Sequence, residues 1–251
     1  MVLSLTANLV TSSMALWRGT AIAVENPVVP EQPLHLYDME GCPFCRLVRE
    51  VLTELDLDAV IYPCPKGGDR FRNRAMEIGG KTQFPLLVDP NRQVALYESR
   101  AIVEYLYEHY GPGKAAARRR IGTRQTLRAM IASASRLGGG SFARPSHRPE
   151  RLLELYSFES SPYSRPVREL LCELEIAYVV RNCGKGSKED YLLPVVRERF
   201  YSGYQPVTRN RKTLLAQTGR VAVPYLVDPN ENRALYESRA ILDYLKQQYQ
   251  I

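Results

Sequence analysis

The sequence predicts an α/β protein built from two copies of one domain. Fifteen residues between positions 34 and 67 recur as the same residue types 119 positions later, without a gap. A second stretch, 85–102, recurs 139 positions later, which places an insertion of 20 residues in the second copy between Ser187 and Val221. Self-similarity at so long a period indicates a duplicated domain rather than a solenoid of short repeats. The 251 residues leave each copy near the usual size of a domain with its own core.

The repeat predicts the domain boundaries. We expect a first domain over 33–113 and a second over 151–251, the latter with the insertion near 188–212. An arm precedes each domain, at 1–32 and at 114–150. The first arm is rich in small residues and the second is basic, and we expect both to be helical.

Each copy is predicted to run strand, helix, strand, helix, hairpin, helix. In the first copy, 33–38 and 59–62 have the short apolar pattern of strands, and the apolar positions 48, 51, 52 and 55 share one helix face. A second helix at 71–78 ends at two glycines, the turn at 89–92 joins a hairpin, and 98–110 forms the closing helix. Because a helix joins the first two strands, we expect them to be parallel.

Composition and charge exclude some classes of function. The net charge of +7 comes mostly from arginine, and no nucleic-acid motif accompanies the arginine clusters. We therefore interpret them as a solvated linker and loop surface and expect no nucleic-acid partner. No apolar stretch approaches the roughly 20 residues that span a bilayer, so no membrane role is expected. The clustered residues are Arg118, Arg119, Arg120, Arg124, Arg128, Arg144, Arg148, Arg151, Arg197, Arg199, Arg209 and Arg211.

The first thirty residues leave two interpretations open. They carry only two charges, which suits a transit peptide to an organelle stroma. The 119-residue spacing also continues back through Pro30 and Glu31, which favours a structural arm. With five cysteines and no secretory signal of the usual form, we expect a reducing compartment, the cytoplasm.

The most informative motif is Cys-Pro-Phe-Cys at 42–45, which lies at the predicted turn from strand to helix. A thiolate is the nucleophile in disulfide exchange, and backbone N–H groups at a helix N-terminus favour its formation. Cys42 is then the expected nucleophile, and Cys45, one turn along, the resolving thiol that attacks a mixed disulfide. A buried structural pair or half of a metal site is the alternative. No second Cys-x-x-Cys or nearby Cys/His pair supplies further zinc ligands, so we expect no metal.

This order of elements, with a Cys-x-x-Cys opening the first helix and a proline before the hairpin, resembles the thioredoxin-like fold. Specifically, it is similar to the glutaredoxin-like N-terminal domain of glutathione transferases, over about 33–111 and 151–251. The resemblance implies two tandem thioredoxin-like domains that use glutathione as co-substrate. A glutathione-bridged iron–sulfur cluster, as in some glutaredoxins, stays open.

The resemblance also implies where glutathione binds. The prolines at 85 and 224 match a cis proline that faces the active site, where the backbone of the preceding residue pairs with the cysteinyl part of glutathione. A Glu-Ser pair that opens the last helix holds the γ-glutamyl end. An ordinary turn proline and a helix cap are the structural alternatives. The implied glutathione-binding residues are Phe44, Phe84, Pro85, Glu98, Ser99, Val223, Pro224, Glu237 and Ser238.

The second copy departs from the dithiol pattern. Ser-Pro-Tyr-Ser at 161–164 stands where the first copy has its cysteines. It is similar to the active-site stretch of serine-type glutathione transferases, which implies that Ser161 donates a hydrogen bond to the glutathione thiolate. A decayed site kept for packing or for binding is equally open, because the helical domain that normally supplies the electrophile pocket has no counterpart in the sequence.

Three other cysteines and the insertion have structural explanations. Cys64 and Cys183 follow the second strand of their copies, where a third thiol near the motif is conceivable but a buried structural cysteine is favoured. Cys172 is expected on a buried helix face. The aromatic and basic residues of 188–212 suit either a lid or partner surface or a longer helix with a solvated face.

Taken together, the sequence predicts a glutathione-linked thiol–disulfide oxidoreductase with Cys42 and Cys45 as its reactive pair. Its substrates would be a disulfide-containing or glutathionylated protein or a small thiol compound, and its second domain would be degenerate or glutathione-binding. One alternative is a transferase or peroxidase-type enzyme acting through Cys42 or Ser161. The other is a non-catalytic module that binds glutathione or a partner. The oligomeric state does not follow from the sequence.

Overall fold

The computed structural model has an α/β fold with one mixed β-sheet. It describes residues 17–118, 120–134, 138–201 and 203–251. The elements of the first copy are β1 (Leu34–Asp38), α1 (Pro43–Glu54), β2 (Ala59–Pro63), α2 (Arg72–Gly79), β3 (Leu86–Asp89), β4 (Val94–Tyr97) and α3 (Ser99–Tyr110). The linker contains α4 (Lys114–Ala117) and α5 (Thr123–Ala134). The elements of the second copy are β5 (Leu153–Ser157), α6 (Arg165–Glu173), β6 (Tyr178–Asn182), a 3₁₀ turn (Glu189–Tyr191), α7 (Pro194–Phe200), α8 (Arg209–Thr218), β7 (Tyr225–Asp228), β8 (Arg233–Tyr236) and α9 (Ser238–Tyr249).

The predicted order of elements is confirmed in both copies. β1 and β2 pair in parallel, as do β5 and β6, because a helix connects each pair. β3 and β4 form the expected antiparallel hairpin, and β7 and β8 form its counterpart. On its other side, the first strand of each copy pairs antiparallel with the first hairpin strand: β1 with β3, and β5 with β7.

The strands of the two copies join into a single eight-stranded sheet. Its order is β4-β3-β1-β2-β6-β5-β7-β8, and β2 pairs with β6 antiparallel at the centre. The register there is Ala59 opposite Val180, Val60 opposite Val179 and Ile61 opposite Tyr178. A shift of 119 residues maps this pairing onto itself, so the two copies meet about a local two-fold axis. The pairing also covers both strand edges that a separate domain would leave open.

One hydrophobic core extends across the centre of the sheet. Apolar side chains of α1 and of α6 belong to the same buried cluster, together with residues of β1, β2, β5 and β6. The four positions predicted to share one helix face are all among them: Val48, Val51, Leu52 and Leu55. Burying a side chain of this size stabilises the folded state by about 1.5–3 kcal/mol. The face is therefore well able to fix α1, and with it the residue at its N-terminus.

The arms differ from the expected helices. No helix is present over the described residues 17–32, and the rest of the first arm lies outside the described part of the chain. Instead, Ala21 of the first arm forms a β-bridge with Lys185 of the second copy, and Phe142 of the second arm forms one with Lys66 of the first copy. Each arm thus contacts the other copy. The equivalent arm residues Ala21 and Phe142 are 121 positions apart, rather than the 119 positions of the repeat. In the linker, α4 and α5 are helical, but 138–150 is not.

The interpretation of the arginine clusters as a solvated surface is wrong for two residues of the insertion. Arg197 and Arg211 are buried, at 2% and 4% exposure. Arg211 forms an ion pair with the buried Asp190 at 3.1 Å, and the Arg197 guanidinium lies 4.3 Å from the centre of the Tyr204 ring. The described residues of the insertion therefore pack against the second copy, and they include the 3₁₀ turn, α7 and the start of α8. Among the described residues, no helix is both long and apolar enough to cross a bilayer.

Candidate functional site

The Cys-Pro-Phe-Cys motif lies at the N-terminus of α1. Cys42 is the residue before the first helical turn, with an extended backbone at φ −81° and ψ 124°, and Pro43 begins the helix. The Cys42 N–H donates to the Met39 carbonyl at 2.9 Å, which closes a turn over 39–42. Pro43 suits the first helical position because its missing N–H has no partner there. The turn and the helix together present the Cys42 thiol at the free N–H groups of α1.

The two thiols differ in exposure and in acidity. Cys42 is 8% exposed, whereas Cys45 is fully buried. A hydrogen bond from the Cys45 thiol, aided by the backbone N–H groups of Cys45 and Phe44, lowers the pKa of Cys42 to about 7 against the opposing effect of burial. Burial and the neighbouring Cys42 raise the pKa of Cys45 well above its usual value. Cys42 is therefore the thiol suited to act as a thiolate nucleophile near neutral pH.

The sheet register brings three predicted site segments to one edge. Tyr37 lies opposite Leu86, and Leu86 lies opposite Tyr97. The chain continues from these three residues into the 39–42 turn, back to Pro85, and on to Glu98. These segments therefore adjoin one another at the edge from which α1 and α3 begin. The Phe84–Pro85 peptide bond is cis, as predicted, and so is Val223–Pro224 in the second copy.

The Glu-Ser pair opens α3 with an unusual backbone. Glu98 has φ 67° and ψ 114°, and Glu237 repeats this at φ 69° and ψ 120°. A positive φ is rare and strained for glutamate, and such strain concentrates at functional sites. The Glu98 carboxylate accepts a hydrogen bond from Gln83, the residue before Phe84. Ser99 follows as the first residue of the helix and is nearly buried. A helix N-terminus of this kind is suited to receive a carboxylate.

The corresponding site of the second copy is closed. Ser161 and Ser164 are both fully buried, and the Ser161 oxygen accepts from the Ser164 N–H at 3.1 Å and its hydroxyl at 3.0 Å. Helix α6 begins at Arg165, three residues later in the repeat than α1, although the Arg165 N–H donates to the Ser161 carbonyl at 3.2 Å, as the Arg46 N–H does to the Cys42 carbonyl at 3.1 Å. The Ser238 hydroxyl donates to the Tyr163 carbonyl at 2.7 Å. The hydroxyl groups at this site are thus engaged with one another and with the backbone.

Comparison with known proteins identifies the family. The model of the glutathione S-transferase N-terminal domain matches residues 36–114, 155–201 and 202–250. The chain belongs to this family. The glutathione S-transferase-like protein tpcF of Aspergillus fumigatus is 36% identical over 81 residues, which are 32% of this chain and 35% of that protein.

Solved glutathione transferases show the same partial match. The Bombyx mori glutathione transferase BmGSTD1 is 29% identical over 34% of this chain and 38% of its own, with a TM-score of 0.30. Its complex with GTT gives 28% identity over 34% and 39% of the two chains, with a TM-score of 0.28. The chain therefore matches little more than a third of the length of these relatives.

Sequence reasoning missed one feature of this glutathione transferase N-terminal domain. It is a buried ionic network behind the 39–42 turn, which we call the thiol turn. Four charged residues form it: Glu40 and Arg49 of the first copy and their counterparts Glu159 and Arg168 of the second. None of the four is more than 8% exposed. Burial alone would raise the pKa of Glu159, but Arg168 and Arg49 hold it at about 2. The signal was present in the sequence, since both residue types recur in the repeat.

Asp38 makes this network asymmetric. It forms an ion pair with Arg49, whereas the equivalent residue Ser157 accepts a hydrogen bond from Arg168 at 3.0 Å. Burial raises the pKa of Asp38 to about 6, although Arg49 opposes the shift. The first copy therefore carries one more buried acid beside its thiols than the second copy carries beside its serines.

Arg165 of the second copy is a further buried arginine near the ionic network. It is 2% exposed, and its three guanidinium nitrogens have no hydrogen-bond partner among the described residues. Burial lowers the pKa of Arg165 to about 9. The equivalent residue Arg46 instead donates to Glu50 at 3.0 Å. The network is thus built from matching residues that are not equally satisfied in the two copies.

The remaining cysteines are buried and unpaired with each other. Burial raises the pKa of Cys183 to about 12 and that of Cys64 still further. The Cys172 thiol also has a raised pKa because of burial, and its sulfur lies 3.4 Å from the Glu40 backbone nitrogen. These thiols are poorly suited to form thiolates. Over the part of the chain that the structure describes, no three His, Cys, Asp or Glu residues are grouped as metal ligands.

Proposed function

We propose that this protein is a glutathione-linked thiol–disulfide oxidoreductase in which the first of two tandem thioredoxin-like domains carries the reaction. The observation that supports it best is the pair of thiols at the start of α1, where Cys42 has a pKa of about 7 and Cys45 is buried with a raised pKa. This is the division between attacking and resolving thiol that the chemistry requires. Membership of the glutathione transferase N-terminal family supports glutathione as the partner.

The proposed reaction has two displacements. The Cys42 thiolate attacks the glutathione sulfur of a glutathionylated substrate, the substrate thiolate leaves and takes up a proton, and a Cys42–glutathione disulfide forms. A second glutathione thiolate, or the Cys45 thiolate after loss of its proton to water, then attacks this disulfide. The first route yields oxidised glutathione and a free Cys42 thiolate. The second yields a Cys42–Cys45 disulfide and a glutathione thiolate.

Glutathione is proposed to bind along the sheet edge beside the thiol turn. Its cysteinyl part would pair with the Phe84 backbone before the cis Pro85, and its γ-glutamyl end would meet Glu98 and Ser99 at the start of α3. Phe44, which is 44% exposed, would border the same site. Because all five cysteines are free thiols, a reducing compartment such as the cytoplasm fits the proposal.

Intact-mass analysis after exposure of the reduced protein to oxidised glutathione tests the proposal. The wild type should close to an internal disulfide, and Cys45→Ser should accumulate one glutathione adduct. Cys42→Ser should form neither, because the remaining thiols are buried. If the wild type and both variants stay unmodified, the oxidoreductase proposal is wrong.

A glutathione transferase is the second candidate, and the family membership favours it. In this case Cys42 would hold the glutathione thiolate near an electrophile, and Cys45 would not be needed for turnover. Conjugation of glutathione to an aryl halide separates the two candidates. Transferase activity that survives Cys45→Ser and is lost in Cys42→Ser, without any glutathione adduct on the protein, would support the transferase.

A further inference from the structure

The turn that carries Cys42 is held from the other copy by three contacts. Arg168 donates to the Glu40 carboxylate at 3.0 Å and 3.2 Å, with both side chains buried. The Glu40 backbone N–H points to the Cys172 sulfur at 3.4 Å. The Gly41 N–H donates to the carbonyl of Gly140, in the second arm, at 3.3 Å. The turn therefore rests on residues outside its own copy as well as on Arg49 of its own copy, which donates to the Glu40 carbonyl at 3.1 Å.

The equivalent turn of the second copy, 158–161, which we call the serine turn, is held in the same manner by the first copy. Arg49 donates to the Glu159 carboxylate at 3.0 Å, and the Glu159 N–H donates to the Thr53 hydroxyl at 3.3 Å. The Ser160 N–H donates to the Gly19 carbonyl, in the first arm, at 3.2 Å. Thr53 is the counterpart of Cys172 under the 119-residue repeat. The two sets of contacts are thus equivalent by type and by position.

There is little space for the thiol turn to move. A side chain at Gly41 would overlap the Ser141 hydroxyl of the second arm, and one at Gly140 would overlap the Glu40 side chain. The Cys172 thiol also donates to the Gly140 carbonyl at 3.2 Å, so one sulfur bonds both sides of this contact. Interiors so closely packed transmit a displacement instead of absorbing it. A shift of the second copy would therefore move Glu40 and Gly41, the two residues before the thiol.

We propose that the second copy serves as a fixed support for the thiol of the first, with Arg168 and Cys172 as the residues that position the 39–42 turn. The inference rests on the proposed function, because it assigns the second copy a part in the reactivity of Cys42. It also accounts for a second copy that keeps the ionic network while its own serines are buried. Neither residue touches the reacting sulfur; both act through Glu40.

A matched pair of variants tests this proposal. Cys172→Ala removes one of the contacts that hold the thiol turn, and Thr53→Ala removes the equivalent contact of the serine turn. Each side chain makes two hydrogen bonds, since Thr53 also donates to Asn182 at 2.8 Å, so the losses are comparable. Cys172→Thr supplies the side chain that the other copy uses at this position. The pH profile of Cys42 alkylation by iodoacetamide is the readout, with thermal unfolding recorded beside it.

Cys172→Ala should raise the pKa of Cys42 by about 0.5, because a loosened turn aligns the helix N–H groups less well with the thiolate. This corresponds to roughly a threefold decrease in the acid dissociation constant of the thiol. Thr53→Ala should leave the profile unchanged, and Cys172→Thr should restore most of the wild-type value. Equal profiles for Cys172→Ala and Thr53→Ala would overturn the proposal while leaving the function intact. A wild-type Cys42 that does not react at all would overturn both.

Discussion

The thiol turn and the serine turn occupy equivalent places about the centre of one sheet, yet only one is equipped for thiol chemistry. Their surroundings agree: each is followed by a helix, flanked by a cis proline and held by a buried ion pair between its own glutamate and an arginine of the other copy. Three of the differences between them exchange an acid and two thiols of the first copy for hydroxyls of the second. The pairs are Asp38 and Ser157, Cys42 and Ser161, and Cys45 and Ser164. The comparison separates the frame, which both copies share, from the chemistry, which one copy has.

The largest expected difference between the two turns is at positions 42 and 161. Cys42→Ser should lower glutathione-dependent reduction of a small mixed disulfide by at least about 100-fold, because a hydroxyl is not ionised at neutral pH and cannot form the mixed disulfide. Ser161→Ala should retain the wild-type rate, since Ser161 is fully buried. Initial rates at fixed glutathione concentration measure both. A loss of rate in Ser161→Ala would show that the serine turn takes part in the reaction.

Introducing thiols into the second copy tests whether residue type alone accounts for the difference. In a Cys42→Ser background, the double change Ser161→Cys and Ser164→Cys should not recover activity. Positions 161 and 164 are both fully buried, and burial raises the pKa of a thiol and closes it to a substrate. The same assay decides the outcome. Recovery would mean that residue type alone makes the site, in spite of burial.

Much of this comparison was accessible from the sequence, but not its centre. The strands, the hairpins and the start of α1 follow from short-range patterns, because alternation, helical periodicity and Pro or Gly positions act over a few residues. The pairing of β2 with β6 does not, since nothing local in Val60 or Val179 specifies which strand each will meet. Without that contact there was no reason to bury the repeated Glu40 and Arg49.

The difference between the two helix starts was also beyond the sequence. Pro43 and Pro162 are identical residues at equivalent positions, yet only Pro43 lies in a helix. In the second copy, the Ser161 side chain accepts from the Ser164 N–H, which is the bond of a helix N-cap, and the Arg165 N–H donates to the Ser161 carbonyl at 3.2 Å. Residues 162–164 nevertheless form turns rather than regular helix, and local propensity, which predicts the same start for both copies, does not distinguish the two. The predicted glutathione-binding role of Ser238 remains a prediction, although its hydroxyl is already bonded to Tyr163.

The two Glu-Ser pairs extend the comparison to glutathione binding. Ser99→Ala should raise the KM for glutathione about tenfold, since a hydrogen bond to a charged group contributes about 1.5–3 kcal/mol. Ser238→Ala should leave the KM unchanged, because its hydroxyl donates to the Tyr163 carbonyl and not into an open site. Steady-state rates over a range of glutathione concentrations give both values. Equal increases in KM would indicate that both copies bind glutathione.

The acidity of Cys42 offers a smaller but more specific test. With a pKa of about 7, its alkylation rate should rise tenfold per pH unit below that value and level off above pH 8 or so. The hydrogen bond from the Cys45 thiol is the largest cause of the lowered pKa, so Cys45→Ala should shift the profile to higher pH. Cys45→Ser keeps a donor and should shift it less. A profile that does not move in Cys45→Ala would assign the effect to the helix N-terminus alone.

The equivalent arginines Arg46 and Arg165 should respond to the same substitution in opposite directions. Arg46→Met removes the 3.0 Å partner of the buried Glu50 and leaves it only Arg18, at 3.3 Å, so it should lower the free energy of unfolding by about 1.5–3 kcal/mol, the contribution of a hydrogen bond to a charged group. Arg165→Met removes a buried cation whose nitrogens have no hydrogen-bond partner among the described residues, and should raise the free energy of unfolding by about 1–2 kcal/mol. Thermal unfolding would register the second change as an increase of a few degrees in Tm. A decrease in both variants would show that the attraction of Arg165 to Glu159 and Glu40 outweighs its desolvation, and the ionic network would then be balanced across the two copies as a unit.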